Sequence, residues 1–133
     1  MSGAFSKKDF VVGEQLAEIL DEYSHALDEN VEKEINQVAK ECAQQLRNTS
    51  PKRPGHGEYA RSWGVKRDRD GSVTVHNKDH YQLTHLLENG HIIRNKRGTY
   101  GRVNGIKHIA PVEQWGNNEV VTRIQTKIER GLI

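Results

Sequence analysis

The chain is poor in most of what staples or equips a small domain. It has a single cysteine, Cys42, so no internal disulfide can form, and a reducing compartment fits best. Apolar residues make up 34% of its 133 residues and aromatics only 6%. A core that thin, in a chain with room for one domain, predicts that neighbouring subunits supply part of the stability. No apolar run approaches the roughly 18 residues that span a membrane, and the opening MSGAFSKKDFVVGEQ has no stretch of signal-peptide length. The chain therefore reads as one soluble, cytoplasmic domain.

Charge is present but unevenly placed. The net +2 hides 5 Lys/Arg against 10 Asp/Glu in residues 1–48, and 12 against 5 in residues 49–111. An acidic front on a basic body favours head-to-tail contact between copies, or a partner of mixed charge. A dedicated nucleic-acid binder would carry its basic excess across the whole domain.

Between Glu14 and Asn48 there is neither glycine nor proline. Leu16, Leu20, Tyr23, Leu27, Val31, Ile35, Val38, Cys42 and Leu46 recur at steps of three and four. That spacing predicts an amphipathic helix over 14–48, preceded by a flexible N-terminus over 1–13. At 1.5 Å per residue the rod would be roughly 45–50 Å long, so part of it should project or lie on another subunit. Pro51, Pro54, Gly55 and Gly57 then impose a loop. Ser62–Arg67 and Ser72–His76 are β-prone runs flanking Asp68-Arg69-Asp70-Gly71, which predicts a hairpin. A short helix is expected over about 80–89, with Leu83, Leu86 and Leu87 buried and Gly90 ending it in a left-handed conformation. Residues 94–105, with three glycines and the cations Arg94, Lys96, Arg97 and Arg102, read as a mobile loop or a long flexible hairpin tip. Ile106–Val112 is a candidate third strand. A C-terminal helix is expected over 117–133, its apolar side formed by Val120, Val121, Ile124 and Ile128. The fold class is α+β: a long N-terminal helix, a small antiparallel sheet, a short middle helix and a C-terminal helix, with the sheet-containing body spanning 49–116.

Four histidines in HNKDHYQLTHLLENGH, residues 76–91, suggest a metal site. Their intervals of 4, 5 and 6 do not align on one helix face, and His76 and His91 fall outside the helix. His85 and Glu88, three apart, make a local pair only. The acidic ligands and second helical histidine of a His-Asn-His nuclease do not appear at workable spacing around His76, Asp79, His80 and Glu88. Cys42 lies on the apolar stripe of the long helix, as a structural thiol would. The sequence therefore predicts no enzyme, no metal and no cofactor.

Three motifs occur in order. They are Pro51 followed by Gly57-Glu58-Tyr59-Ala60-Arg61-Ser62, then Leu86-Leu87-Glu88-Asn89-Gly90-His91, then His108-Ile109-Ala110-Pro111. The series, from about Val31 to Pro111, resembles the minor tail components of long-tailed bacteriophages, also called neck, head–tail joining or tail-completion proteins. Tyr59 stands where that family has leucine, and Lys107 where it commonly has proline. The resemblance implies a structural virion or prophage protein made in the bacterial cytoplasm. It would form a ring at the head–tail junction, for which tail symmetry suggests six copies, and meet connector or portal-side and tail proteins. It would work by surface complementarity. Pro51, Gly57, Tyr59, Ser62, Leu86, Leu87, Glu88, Gly90, His91, His108, Ile109 and Pro111 would then be structural. His91 and His108 are expected to hydrogen-bond near the sheet, and Tyr59 and Trp63 to pack over it. Arg94, Lys96, Arg97 and Arg102 would face a partner ring or DNA in the channel. The rival readings are a nucleic-acid-binding module using residues 49–111 and, further off, a small metal-dependent nuclease.

Overall fold

The computed structural model describes residues 8–14, 16, 29–52 and 57–131, with Asn95 and Tyr100 described in backbone only. The expected helix is present as α1, Glu29–Thr49. The part of that helix expected over 17–28 lies outside the described residues, as do Pro54 and Gly55. Val31, Val38, Cys42 and Leu46 of α1 are buried, with Ile35 half-buried between the first two, and Ala39 and Ala43 widen the stripe.

After a single turn, α2 (Glu58–Arg61), the chain forms the expected hairpin of β2 (Trp63–Arg67) and β3 (Val73–Asn77). Asp68 closes its turn: the backbone N–H of Asp68 donates to Ser72 O at 2.8 Å, and its carboxylate accepts Thr74 Oγ1 at 2.8 Å. The third strand is not Ile106–Val112. It is β1, Phe10–Val11, pairing antiparallel with β3 through Phe10 and Val75 to give the order β1-β3-β2. The stretch read as a flexible N-terminus is therefore tied down from Lys8 onward. Val12 N donates to Val73 O at 2.9 Å and Gly13 N to Asn117 Oδ1 at 3.1 Å, with Phe10 and Val12 buried. A two-residue strand carries too little periodicity to be read from sequence.

Two further helices and a second sheet complete the described chain. Helix α3 spans Tyr81–Asn89, β4 spans Gly90–Asn95, β5 spans Gly98–Asn104, and α4 spans Ile109–Glu129. The segment read as loop or flexible tip is thus a paired hairpin with a two-residue turn at Lys96-Arg97 and an irregularity at Ile93/Arg94. The predicted strand 106–112 is instead the approach to α4 and its first turn, so α4 begins eight residues before Asn117. Pro111 was the available signal, since proline is tolerated in a helix's first turn and not in a central strand.

Helices α1 and α4 lie side by side, and α1 packs across β2 and β3. Trp63, Val75, Leu46, Val31, Val120 and Ile124 fill the core between them. The two helices are tightly packed at Gly116, where a Cβ would sit on the Cys42 sulfur. Replacing Gly116 with alanine should therefore cost about 1–3 kcal/mol, as overpacked cores do. The companion change Cys42→Ala should recover part of it, measured by chemical denaturation of the single and double variants. Burial raises the Cys42 thiol to about 12. A maleimide at pH 8 should label it only after denaturation, with mass spectrometry as the readout.

At the surface, three of α1's carboxylates are engaged within the chain. Arg123 holds Glu41 through two bonds of 2.7 and 3.0 Å, Lys127 meets Glu34 at 2.8 Å, and Arg67 meets Glu32 at 2.9 Å. No described helix is long and apolar enough to cross a membrane.

Candidate functional site

Helix α3 does not bury its leucines. Its inward residues are Thr84 and Glu88, while Leu83 is 40% exposed and Leu86 and Leu87 are half-buried. The reason is chemical. Thr84 Oγ1 accepts the Lys8 N–H at 2.9 Å and donates to Tyr81 O at 2.7 Å. Glu88 caps a helix twenty residues further on. Its Oε1 accepts the backbone N–H groups of His108 and Ile109, each at 2.8 Å, and its Oε2 accepts that of Ala110 at 2.9 Å. An anion at a helix N-terminus satisfies orphan donors and meets the positive end of the helix dipole. Burial pushes the Glu88 carboxyl up, but these backbone donors outweigh it and hold the group below the usual carboxylate value.

His108 continues the network. Nδ1 lies 2.7 Å from Ile106 O and 3.0 Å from Glu88 Oε1, both acceptors, so the proton belongs on Nδ1. Nε2 is then the acceptor for the Tyr59 hydroxyl at 2.8 Å. Burial, followed by the Glu88 charge, raises the Tyr59 phenol well above its ordinary range. Tyr59 meets Trp63 edge-on at 5.9 Å, Trp63 Nε1 donates to Ser50 Oγ at 2.9 Å, and Asn77 Nδ2 donates to Tyr59 O at 2.8 Å. Tyr59, Glu88 and His108 come from the first, second and third motifs. Three segments far apart in sequence thus converge on one buried polar chain, which locks α2, α3 and α4 together.

The remaining motif residues frame this lock. Gly57 opens α2, and Ser62 donates to Glu58 O at 2.7 Å. Gly90 has φ +80° but ψ 176°, an extended turn-out that differs from the expected left-handed helix cap. A Cβ there would strike Val103 O and Gly105 N. Ile109 is core and Pro111 is exposed in the first turn of α4. His108 is hydrogen-bonded, but to Tyr59, Ile106 O and Glu88, none of which lies on a strand. His91 does not make the bond expected of it, since its Nδ1 is buried without a partner among the described residues. His85 faces Asn89 at 3.1 Å and does not pair with Glu88, which has turned inward. His76 lies on β3 and His80 precedes α3, and among the described residues no three His, Cys, Asp or Glu side chains converge as a metal set.

Outside the lock lies a groove of about 510 Å³, walled by Pro51, Tyr59, Leu83, Leu86, Leu87 and His91. On β4, His91 and Ile93 share one face, and cross-strand pairing of His91 with Val103 brings Val103 onto it. The groove's apolar wall therefore continues onto the hairpin, where Ile93 and Val103 are 43% and 42% exposed. The opposite hairpin face carries Ile92, Arg94 and Arg102. Arg102 is anchored, its Nη2 donating to Asn89 O at 2.7 Å, and Lys107 reaches Asn89 Oδ1. Arg94, Lys96 and Arg97 stand exposed toward the tip. Sequence reasoning missed Thr84, Asn77, Asn89 and Gly105, whose roles depend on partners brought in by the fold.

A family model described as "Bacteriophage HK97-gp10, putative tail-component" matches residues 14–90. The first two motifs lie within that span up to Gly90, while His108–Pro111 lies beyond it. No curated protein and no solved structure matches the chain significantly. With more than half of its residues matched, the chain belongs to the HK97-gp10-like family of bacteriophage tail components.

Proposed function

We propose that this tail component completes the head–tail junction as a ring of identical subunits, joining connector or portal-side proteins to the tail without catalysis. The observation that carries the reading is the position of the exposed apolar side chains. Tyr81, Leu83, Ile92, Ile93, Val103 and Ile106, the large hydrophobic residues exposed among those described, all fall between positions 81 and 106. Apolar surface gathered on one helix and its adjoining hairpin marks an interaction site. The hairpin itself packs on little but α3. A two-stranded ribbon is marginal alone in water, so contact with a neighbouring subunit would complete it. Assembly in the host bacterial cytoplasm and residence in the virion neck follow from this role.

The test is solution mass across a concentration series, by light scattering behind a sizing column, with mass photometry of the largest species. A discrete ring is expected, or a monomer that becomes one when a portal–connector complex is added. A monomer indifferent to such partners, but retained on DNA at low salt and released at high salt, would favour a nucleic-acid-binding role. Hydrogen exchange at residues 92–103 should be fast in the monomer and slow in the ring.

A further inference from the structure

We propose that, within the ring reading on which this rests, the β4–β5 hairpin of one copy docks into a cavity of the next. That cavity, of about 420 Å³, opens between the first half of α1, the chain after β1 and the β2–β3 turn. Its apolar lining is Val11, Leu16, Ile35 and Val73. Its charged lining, among the described residues, is Glu14, Glu32 and Asp70 against Arg67. Arg67 is already bonded to Glu32, so the carboxylates left over are Glu14 and Asp70, both exposed. The hairpin is opposite in charge. From Gly90 to Asn104 it has Arg94, Lys96, Arg97 and Arg102 and no carboxylate. Arg102 is held by Asn89 O, while Arg94 and Lys96 stand exposed. Ile92, 44% exposed, shares a face with Arg94 and is turned away from the α3 groove. Seating Ile92 on the cavity's apolar floor sets Arg94 and Lys96 against Glu14 and Asp70.

Other hollows of the surface fit the hairpin less well. The α3 groove balances Lys52 against Glu58, offering a cationic ribbon no net attraction. The hollow between α1 and α4 carries Lys33, Lys40 and Lys127 against Glu34 and would repel it. Within one copy, hairpin and cavity lie apart. The hairpin packs on α3. That helix receives the Lys8 N–H at Thr84 Oγ1, before β1, and follows the Asn77 end of β3. The cavity lies at the opposite ends, by Glu14 and Val73. A donor surface and an acceptor surface at different places make a heterologous contact, the kind that closes rings. Docking also gives Ile92 the apolar cover that a two-stranded ribbon lacks in water.

Two full-length variants separate the partners in this contact. Arg94→Glu/Lys96→Glu spoils the hairpin, and Glu14→Lys/Asp70→Asn spoils the cavity, the asparagine keeping the oxygen that receives Ser72. Each alone should weaken assembly about tenfold or more, by light scattering across a concentration series. Mixed in equal amounts, the two should make one good contact, a two-chain species that grows no further. Both sets in one chain reverse the pairing and should recover the ring. Cross-linking gives the second readout. Ile92→Cys in one preparation and Glu14→Cys in another of different tag mass should be joined by a short bismaleimide in the assembled species, Cys42 being buried. A ring that ignores both charge sets and gives no such link overturns this contact while leaving the ring reading intact. An Ile92→Cys/Glu14→Cys chain that links to itself when dilute also overturns it. A chain that stays monomeric even with the portal–connector complex overturns both.

Discussion

Glu88→Ala should lose about 3–5 kcal/mol of folding stability, the cost of removing one partner from a buried charged network. Three backbone donors at the head of α4 and the Nδ1 of His108 converge on that one carboxylate. Alanine would leave the His108 and Ile109 N–H groups buried without an acceptor, while His108 Nδ1 keeps Ile106 O and the Ala110 N–H lies nearer solvent. Glu88→Gln retains one carbonyl oxygen and should cost roughly half as much, because its NH2 group meets a donor where an acceptor is needed. A urea midpoint with unchanged slope would report this as lost stability of the same fold. Loss of amide protection confined to the first turn of α4 would locate it.

The same group sets an acid limit. Its folded value lies below its unfolded value of about 4.3, so its stabilisation is complete above the unfolded value. It fades as pH falls through the lower, folded value. Stability of the Glu88→Gln variant should therefore fall less steeply on acidification than that of the parent. Parallel acid profiles for the two proteins would contradict the assignment of Glu88 as the titrating cap.

Gly90→Ala should be the second large effect, at about 2–5 kcal/mol. Two costs combine there. A residue with a Cβ resists φ +80° with ψ 176°, a region essentially reserved for glycine and worth about 1–3 kcal/mol of strain. The methyl would also collide with Val103 O and Gly105 N, which are backbone atoms of the β5 side and cannot rotate away. The consequence reaches beyond stability. Gly90 joins α3 to β4, so displacing it shifts the hairpin against the groove. Assembly, followed by mass photometry, should weaken more than the loss of folded protein explains. Gly71→Ala provides the control: its φ is also positive, but a Cβ there meets open space.

Several elements of this architecture are written locally. The stripe from Val31 to Leu46 specifies α1 because spacing of three and four aligns on a helix without reference to the rest of the molecule. The β2–β3 hairpin is equally local, its strands separated by a turn in which Asp68 and Asp70 bond to Thr74 and Ser72 and Gly71 takes a positive φ. The ordered series of motifs was also legible, and it pointed to the family that the match over residues 14–90 establishes. What misled was any inference about which side of a short element faces inward. In α3, three leucines outvote one threonine and one glutamate by hydropathy, yet the polar pair is buried. Only the presence of the α4 N-terminus, with donors for a carboxylate to receive, makes that orientation favourable.

The sequence by itself determined the α+β class, the long helix, the first hairpin, the residues of the motifs and the division into an acidic front and a basic body. Those features depend on neighbours within a few positions, or on counting. Tertiary structure alone decided that Phe10–Val11 is a strand and that Tyr59, Glu88 and His108 form one chain of hydrogen bonds. It also decided that the leucines of α3 line a surface groove. Each of these rests on a partner twenty or more residues away, and a buried polar group takes its energy from that partner.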